Sequence, residues 1–185
     1  MSKLSVRDLC YMAFGVALIS VCSWISVPAA VPFTLQTFAV CLITALLGLR
    51  LGMWTVSGYI LLGAVGVPVF SGFRGGPGAL LGTTGGYIVG FLFTALIVGL
   101  AVRRFGRKLP VLLGGMALGI LVCYAFGTAW FMLVYARSTG PVSLAAALGW
   151  CVLPYLLPDA GKIILASWLV QRLYPLVFRS AGSRS

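Results

Sequence analysis

Residues 84–108 read TGGYIVGFLFTALIVGLAVRRFGRK. The first part, 84–102, has no charged side chain and is close to the length of about 20 residues that an α-helix needs to cross a bilayer. Arg103, Arg104, Arg107 and Lys108 follow at once, which is the pattern of a helix end retained on the cytoplasmic side. This stretch predicts a transmembrane helix, and apolar runs with flanking cations recur along the rest of the chain.

The composition extends this prediction to the whole chain. Of 185 residues, 61% are hydrophobic and 8% are charged, which leaves too little polar surface to cover a water-soluble globule. Thirteen Lys and Arg residues stand against two acidic residues, but they separate apolar runs instead of forming a basic stripe. We therefore predict lipid membrane as the surroundings, no nucleic-acid partner, and one transmembrane domain over residues 1–185.

Apolar runs separated by glycine, proline or cations predict six transmembrane helices, at about 9–27, 34–48, 52–65, 84–102, 110–135 and 150–174. The first run is longer than the apolar core of a signal peptide, about 7–15 residues, so we interpret it as a retained helix. With the amino terminus inside, ten cations lie on the cytoplasmic side and two, Arg74 and Arg137, on the outer side. The prediction is an all-α integral protein of the cell membrane with both termini cytoplasmic.

Two ionisable residues, Asp159 and Lys162, lie well inside the last apolar run. A charge at the centre of a membrane costs about 2.5 to 3.5 kcal/mol on insertion scales, so each charge needs a partner. The spacing i, i+3 places both on one face of a helix. One interpretation is an ion pair that only stabilises the bundle, and the other is a ligand site filled from the outer side.

Further candidate site residues are predicted on the same outer side. The glycine-rich segment at about 66–83 and the start of the fourth helix, with Gly85 and Gly86, offer backbone amides to a ligand, although a packing loop is the alternative. Gln36 has a side-chain amide that needs partners when it is buried. Tyr87 and Tyr155 are interpreted either as anchors at the membrane interface or as walls for a flat ligand.

Several kinds of chemistry are not predicted. The chain has no histidine, no paired carboxylates and no nucleotide-binding G-x-x-x-x-G-K-[ST] sequence, so we expect neither an enzyme nor direct ATP binding. Five cysteines in apolar surroundings without a C-x-x-C pair indicate no metal site and no cofactor. Ala13 and Ala17 put small residues four apart in the first helix, a spacing typical of close helix packing within the chain or against a partner protein.

Four segments in order along the chain carry a family resemblance: VPFTLQT at 31–37, GAVGVPVF at 63–70, GGPGALLGTTGGY at 75–87 and DAGK at 159–162. Together they resemble the BioY family, the biotin-capturing S components of energy-coupling factor (ECF) transporters. The resemblance covers nearly the whole chain. At one position the chain departs from the family pattern, because Pro158 stands where a glycine usually precedes the aspartate.

The resemblance implies a six-helix S-component fold that binds biotin from outside, beneath the loop between the third and fourth helices. It implies Asp159, Lys162, Gln36, Tyr87, Gly85, Gly86 and Tyr155 as biotin-binding residues, with Lys162 either holding Asp159 ionised or reaching a ligand oxygen. It also implies three partners, a transmembrane coupling protein and two cytoplasmic ATPases, which dock through Ala13 and Ala17. An S component for another vitamin and a non-transporting membrane scaffold remain as alternatives.

Overall fold

The computed structural model of the protein describes residues 4–29 and 31–179. Its seven α-helices are α1 (Val6–Trp24), α2 (Gln36–Ala64), α3 (Pro77–Leu81), α4 (Gly85–Phe105), α5 (Leu109–Ser138), α6 (Leu144–Cys151) and α7 (Leu153–Tyr174), which continues into a π-helical turn at Pro175–Arg179. Two short strands, β1 (Ser26–Val27) and β2 (Phe33–Thr34), pair antiparallel between α1 and α2. Within the described ranges, five helical segments have the length and apolar composition needed to cross a membrane.

Helix α2 is broken in the middle, at Gly48. The backbone there has φ 78° and ψ −178°, a conformation that glycine adopts without a steric penalty. The Gln36 side-chain amide donates to the Tyr59 hydroxyl at 2.7 Å, whereas 23 residues of straight helix would separate the two by about 34 Å. Helix α2 is therefore two segments that fold back on each other, 36–47 and 49–64, which we call α2a and α2b.

The helices approach closely where small residues meet. The Thr94 hydroxyl on α4 donates to the carbonyl oxygen of Gly119 on α5 at 3.0 Å, and Gly90 lies against Cys123 on the same pair of helices. Small residues allow this kind of approach between apolar helices, where lipid supplies no hydrophobic driving force. These small residues of α4 thus pack within the chain.

The bundle has two ends of different character. One end, which we call the cationic end, is formed by the Gly48 break, the turn between α4 and α5 with Arg107, and the last turn of α7 with Tyr174. There the Arg107 guanidinium donates to the carbonyl oxygens of Ala45 at 2.8 Å and Leu46 at 3.2 Å. The other end, the cavity end, holds the β1–β2 pair, the glycine-rich segment and α6.

The observed elements depart from the prediction in three places. The β1–β2 pair and α6 were not predicted, and α3 lies inside the segment 66–83, which was predicted as a loop. Helix α6 begins at a cap in which the Ser143 hydroxyl accepts from the Ala146 amide, and a break at Val152 separates it from α7. Of the ten cations predicted to be cytoplasmic, Lys3 and Arg184 lie outside the described residues.

Candidate functional site

A cavity lies at the cavity end between α2a, α4, α5 and α7, beneath the glycine-rich segment. About 760 Å³ of space lies within its walls, and this volume includes the part that is open to solvent. Aromatic and aliphatic side chains form most of its wall. The polar side chains that line it include Thr34, Gln36, Thr37, Tyr124, Asp159 and Lys162.

Asp159 and Lys162 form a buried ion pair on one face of α7. The Lys162 Nζ lies 2.7 Å from the Asp159 Oδ1, and the two residues are only 7% and 3% exposed. The spacing of three residues brings both side chains to the same side of the helix, as the sequence predicts. Each charge therefore has the partner that a site of low polarity requires.

The Lys162 ammonium has a protein acceptor for each of its three protons. Besides Asp159, it donates to the carbonyl oxygen of Thr34 at 2.5 Å and to the Thr37 hydroxyl at 3.2 Å. It also lies 4.1 Å from the centroid of the Phe33 ring, a favourable position for a cation. Because an ammonium has three donors and no acceptor, Lys162 has no free proton for a ligand in this arrangement.

The Asp159 carboxylate retains room for one more donor. Its Oδ1 accepts from Lys162 and from the Thr37 hydroxyl at 3.0 Å, and its Oδ2 accepts a short hydrogen bond from the Tyr124 hydroxyl. A carboxylate has about four lone-pair positions, so three are occupied and one remains on Oδ2. Asp159 lines the cavity, and this position makes it an acceptor for a donor group on a ligand.

Tyr124 was not predicted as a site residue. It lies within the apolar run of α5, 35 residues before Asp159, and no sequence spacing connects it with α7. A tyrosine inside an otherwise apolar helix needs a hydrogen-bond partner when it is buried, which is the one signal that points to it. Thr37 follows the predicted Gln36 in the segment 31–37 that carries the family resemblance.

Gln36 connects the cavity with the glycine-rich segment. Its amide nitrogen donates to the Tyr59 hydroxyl, which donates in turn to the carbonyl oxygen of Val69 at 3.0 Å. The Ser23 hydroxyl donates to the same carbonyl at 2.5 Å, and the Trp24 indole donates to the carbonyl of Pro68 at 2.9 Å. Helices α1, α2a and α2b thus hold this segment over the cavity.

The two predicted tyrosines line the cavity, and hydrogen bonds fix both rings. The Tyr87 hydroxyl bonds to the Thr128 hydroxyl at 2.9 Å. The Tyr155 hydroxyl donates to the carbonyl oxygen of Val31, and its ring stacks on that of Phe33 with centroids 6.1 Å apart. Since the hydroxyls are bonded to protein, the rings offer mainly their carbon faces to a ligand.

Gly85 and Gly86 are placed differently from the tyrosines. Neither lines the cavity in the described structure. A Cβ atom at Gly85 would overlap the backbone of Leu80, and one at Gly86 would overlap the side chain of Trp130. Both glycines therefore allow the start of α4 to approach its neighbours, and a direct contact of their amides with a ligand stays a prediction.

Arg74 is an exposed cation at the edge of the cavity that was not predicted as a site residue. Its Nε donates to the carbonyl oxygen of Ser71 at 3.1 Å, which keeps the guanidinium on the glycine-rich segment. Arg74 was predicted only as one of two outer cations.

Ala13 and Ala17 lie away from the cavity, on the exposed face of α1.

Comparison with known proteins decides the family. The model of the BioY family matches residues 1–179. The chain belongs to the BioY family. A Thermotoga maritima protein named biotin transporter BioY is 37% identical over 172 residues, which cover 92% of this chain and 98% of that relative. A Pyrococcus horikoshii protein named probable biotin transporter BioY is 40% identical over 171 residues, with the same two coverages.

A solved structure extends the comparison to the fold of this BioY family member. The crystal structure of the S component for biotin from an ECF-type ABC transporter superposes with a TM-score of 0.80 and is 26% identical; the match covers 91% of this chain and 90% of that one. The predicted family and the likeness to an S component are therefore confirmed. With its apolar helices, this BioY family member is a multi-pass membrane protein, and its relatives are named as transporters and not as enzymes.

Proposed function

We propose that this chain captures biotin at the outer face of the cell membrane and acts in its uptake as the substrate-binding S component of an ECF-type vitamin importer. The family, its relatives and the likeness to a biotin S component support biotin uptake. The observation that carries the proposal is the buried Asp159 carboxylate, which lines an apolar cavity and retains one acceptor position.

The proposed topology has six crossings, because α2a and α2b count as two and α6 with α7 as one. Both termini are proposed to be cytoplasmic. The cluster of Arg103, Arg104, Arg107 and Lys108 at the cationic end supports this orientation, since cations accumulate on the cytoplasmic side. The cavity end then faces outward, where a nutrient arrives.

In the proposed complex Asp159 recognises the ureido ring of biotin. That ring carries two N–H donors, and the free position on Oδ2 accepts from one of them. Lys162 keeps Asp159 ionised and does not reach a ligand oxygen, because its three protons already have protein acceptors. Tyr124 and Thr37 then orient the carboxylate, and Gln36 offers its amide to the remaining polar groups.

The apolar part of biotin fits the aromatic wall. Tyr87 and Tyr155 provide ring faces for the fused thioether and ureido rings. Gly85 and Gly86 support the site by holding the first turn of α4, and therefore Tyr87, in place. The valerate tail ends in a carboxylate, for which Arg74 at the cavity edge is the available cation.

The proposed partners are those of an ECF importer: a transmembrane coupling protein and two cytoplasmic ATPases. Ala13 and Ala17 lie on the exposed face of α1, and small outward-facing residues let a partner helix approach closely. No cofactor is required, because biotin is the cargo and ATP hydrolysis belongs to the partners. Replacing both alanines by tryptophan is expected to prevent copurification with the partners and to leave biotin binding unchanged.

Isothermal titration of the purified full chain tests the proposal. We expect saturable heat with biotin and with desthiobiotin, which keeps the ureido ring, and none with riboflavin or thiamine. Heat only with another vitamin would identify an S component of different specificity. No heat with any vitamin, from a monodisperse protein, would favour the non-transporting scaffold and overturn biotin capture.

A further inference from the structure

Two shallow grooves lie on the membrane-facing side of α5, one at each end. The first, which we call the inner groove, runs between the last turns of α4 and the first turns of α5 and includes Leu100, Arg104, Val111, Gly114 and Leu118. The second, the outer groove, lies near the carboxyl end of α5 and includes Ala129, Leu133, Ala136 and Val142. The inner groove is apolar except for Arg104, and the outer groove has no charged side chain among its described lining residues.

Gly114 creates the width of the inner groove. A Cβ atom at this position would have no neighbour within 4 Å, so the space beside the helix is open. At the next residue the opposite holds, because a Cβ at Gly115 would lie 2.9 Å from the Cβ of Ala101 on α4. The two helices are thus in close contact along one line and separated by an open channel beside it.

Arg104 brings an unbalanced positive charge to one end of this channel. It is exposed, and among the described residues no hydrogen bond or ion pair engages it. The chain has only two acidic residues: Asp159 is paired with Lys162, and Asp8 belongs to the capping box of α1. Among the described residues neither acidic side chain is therefore available to Arg104, and an anion from outside the chain is the complementary partner.

We propose that the inner groove binds an anionic glycerophospholipid, with one acyl chain beside Gly114 and the phosphate at Arg104. From Arg104 to Ile97 the groove follows about 10 Å of helix, which lies within the roughly 15 Å that one leaflet contributes to the hydrocarbon core. Arg103 and Lys108 adjoin the same end and add to the attraction for acidic headgroups. The site goes beyond biotin capture and does not depend on it.

The outer groove is the internal comparison. It offers an acyl chain a similar apolar surface, but no cation is among its described lining residues; Arg137 follows Ala136 in the chain and does not line the groove. Any lipid held there is expected to show no preference for acidic over zwitterionic headgroups. A preference that maps to the inner groove alone therefore separates a built site from general solvation by lipid.

Native mass spectrometry of the full chain in detergent tests the proposal, with phosphatidylglycerol and phosphatidylcholine of identical acyl chains added in equal amounts. We expect bound phosphatidylglycerol to exceed phosphatidylcholine about fivefold, the ratio that one Arg near the membrane surface provides. Arg104→Gln should lower the ratio at least twofold, and Arg103 and Lys108, which remain near the same end, account for any residual preference. Gly114→Leu should lower the amount of bound phosphatidylglycerol at least threefold by filling the channel.

Ala136→Leu, which fills the outer groove on the same helix, is the matched control and should leave the headgroup ratio unchanged. All variants are first checked for a monodisperse peak and unchanged helical circular dichroism. Equal binding of the two lipids to the unaltered chain, or an unchanged ratio in Arg104→Gln, would overturn the proposal. A dimer signal that disappears in Gly114→Leu would also overturn it and would assign the groove to contact between copies of the chain.

Discussion

A basic side chain contacts α2a and α7 at each end of the bundle, Lys162 at the cavity end and Arg107 at the cationic end. The two ends differ in what surrounds this side chain. At the cavity end Lys162 donates to the Thr34 carbonyl and to the Asp159 carboxylate beside open space. At the cationic end Arg107 donates to the carbonyl oxygens of Ala45 and Leu46, just before the Gly48 break that ends α2a. The guanidinium carbon of Arg107 lies 3.8 Å from the Tyr174 ring centroid, and no carboxylate is among the described contacts of Arg107.

This difference separates a binding site from a structural contact. Both cations satisfy backbone carbonyls and join elements that are distant in sequence, so the donors alone do not distinguish the two ends. The cavity end in addition holds a buried anion with an unused acceptor position on a cavity wall. We infer that the cavity end determines ligand affinity, whereas the cationic end determines how stably the helices are held together.

Asp159→Asn is expected to have the largest effect on affinity. The amide replaces the charged acceptor and leaves the Lys162 ammonium without its anion, so biotin affinity should fall about 100-fold or more, by the cost of losing charged hydrogen bonds in a buried site. The protein should stay folded in detergent, with a lowered melting temperature. Isothermal titration measures the affinity, and unaltered affinity would exclude Asp159 from the site.

A double variant separates the two consequences of that change. Adding Lys162→Met to Asp159→Asn removes the unpaired cation, and we expect the melting temperature to recover in part while biotin binding stays weak. Recovery of binding together with stability would mean that Asp159 acts only through the packing of α7. The difference between the two ends of the bundle would then lose its basis.

Tyr124→Phe should have an intermediate effect. It removes the hydrogen bond that orients the Oδ2 oxygen of Asp159, and we expect affinity to fall about tenfold, as for the loss of one hydrogen bond to a charged group. Tyr135→Phe is the matched control on the same helix, because Tyr135 stacks on Phe131 outside the cavity. Equal effects of the two changes in a biotin titration would contradict the role of Tyr124.

Asp159 and Tyr124 show what the sequence could and could not predict about the site. Asp159 and Lys162 were predicted because a charge inside an apolar run is costly and needs a partner, a rule that applies along the chain without tertiary structure. Tyr124 becomes a partner of Asp159 only when α5 packs beside α7, and no periodicity encodes that contact. Gly85 and Gly86 illustrate the same limit, since their close neighbours, Leu80 and Trp130, belong to α3 and α5.

The elements of the fold likewise divide into those that the sequence predicted and those that depend on tertiary packing. Apolar runs and cations predicted the long helices, because the bilayer sets a length and a polarity that are visible in sequence. The β1–β2 pair and α6 are short elements at the cavity end, where packing against the bundle outweighs local propensity. Pro158, where the chain departs from the family pattern, lies inside α7, which continues through it and keeps Asp159 in contact with Lys162.

Arg74→Gln should have a smaller effect than either site variant. An exposed cation at the cavity edge contributes about 1 kcal/mol or less to an ion pair, so we expect about a fivefold loss of affinity for biotin and a weaker dependence of binding on salt. Arg137→Gln, which removes the other cation predicted on the outer side, should change neither. Titrations at two salt concentrations measure this, and an unchanged salt dependence in Arg74→Gln would show that the guanidinium does not reach the ligand.

Arg107→Ala is expected to change biotin affinity least, by less than twofold. It leaves the Ala45 and Leu46 carbonyls without their donor and removes the contact with Tyr174, so we expect a loss of about 1–3 kcal/mol in stability. Partial burial lowers the pKa of the Arg107 guanidinium, but arginine stays charged at neutral pH. We expect the melting temperature in detergent to be lower than that of the unaltered chain. Saturating biotin should raise it by the same increment in both proteins.

Arg107→Lys refines this test, because lysine keeps the charge but not the planar pair of donors that reaches two carbonyls. We expect its melting temperature to lie between those of the alanine variant and the unaltered chain, with biotin affinity again unchanged. If either substitution weakened biotin binding as strongly as Tyr124→Phe, the cationic end would be coupled to the site through α2a and α7. The two ends would then form one functional unit, since the same helices would transmit a change at Arg107 to Thr37 and Asp159.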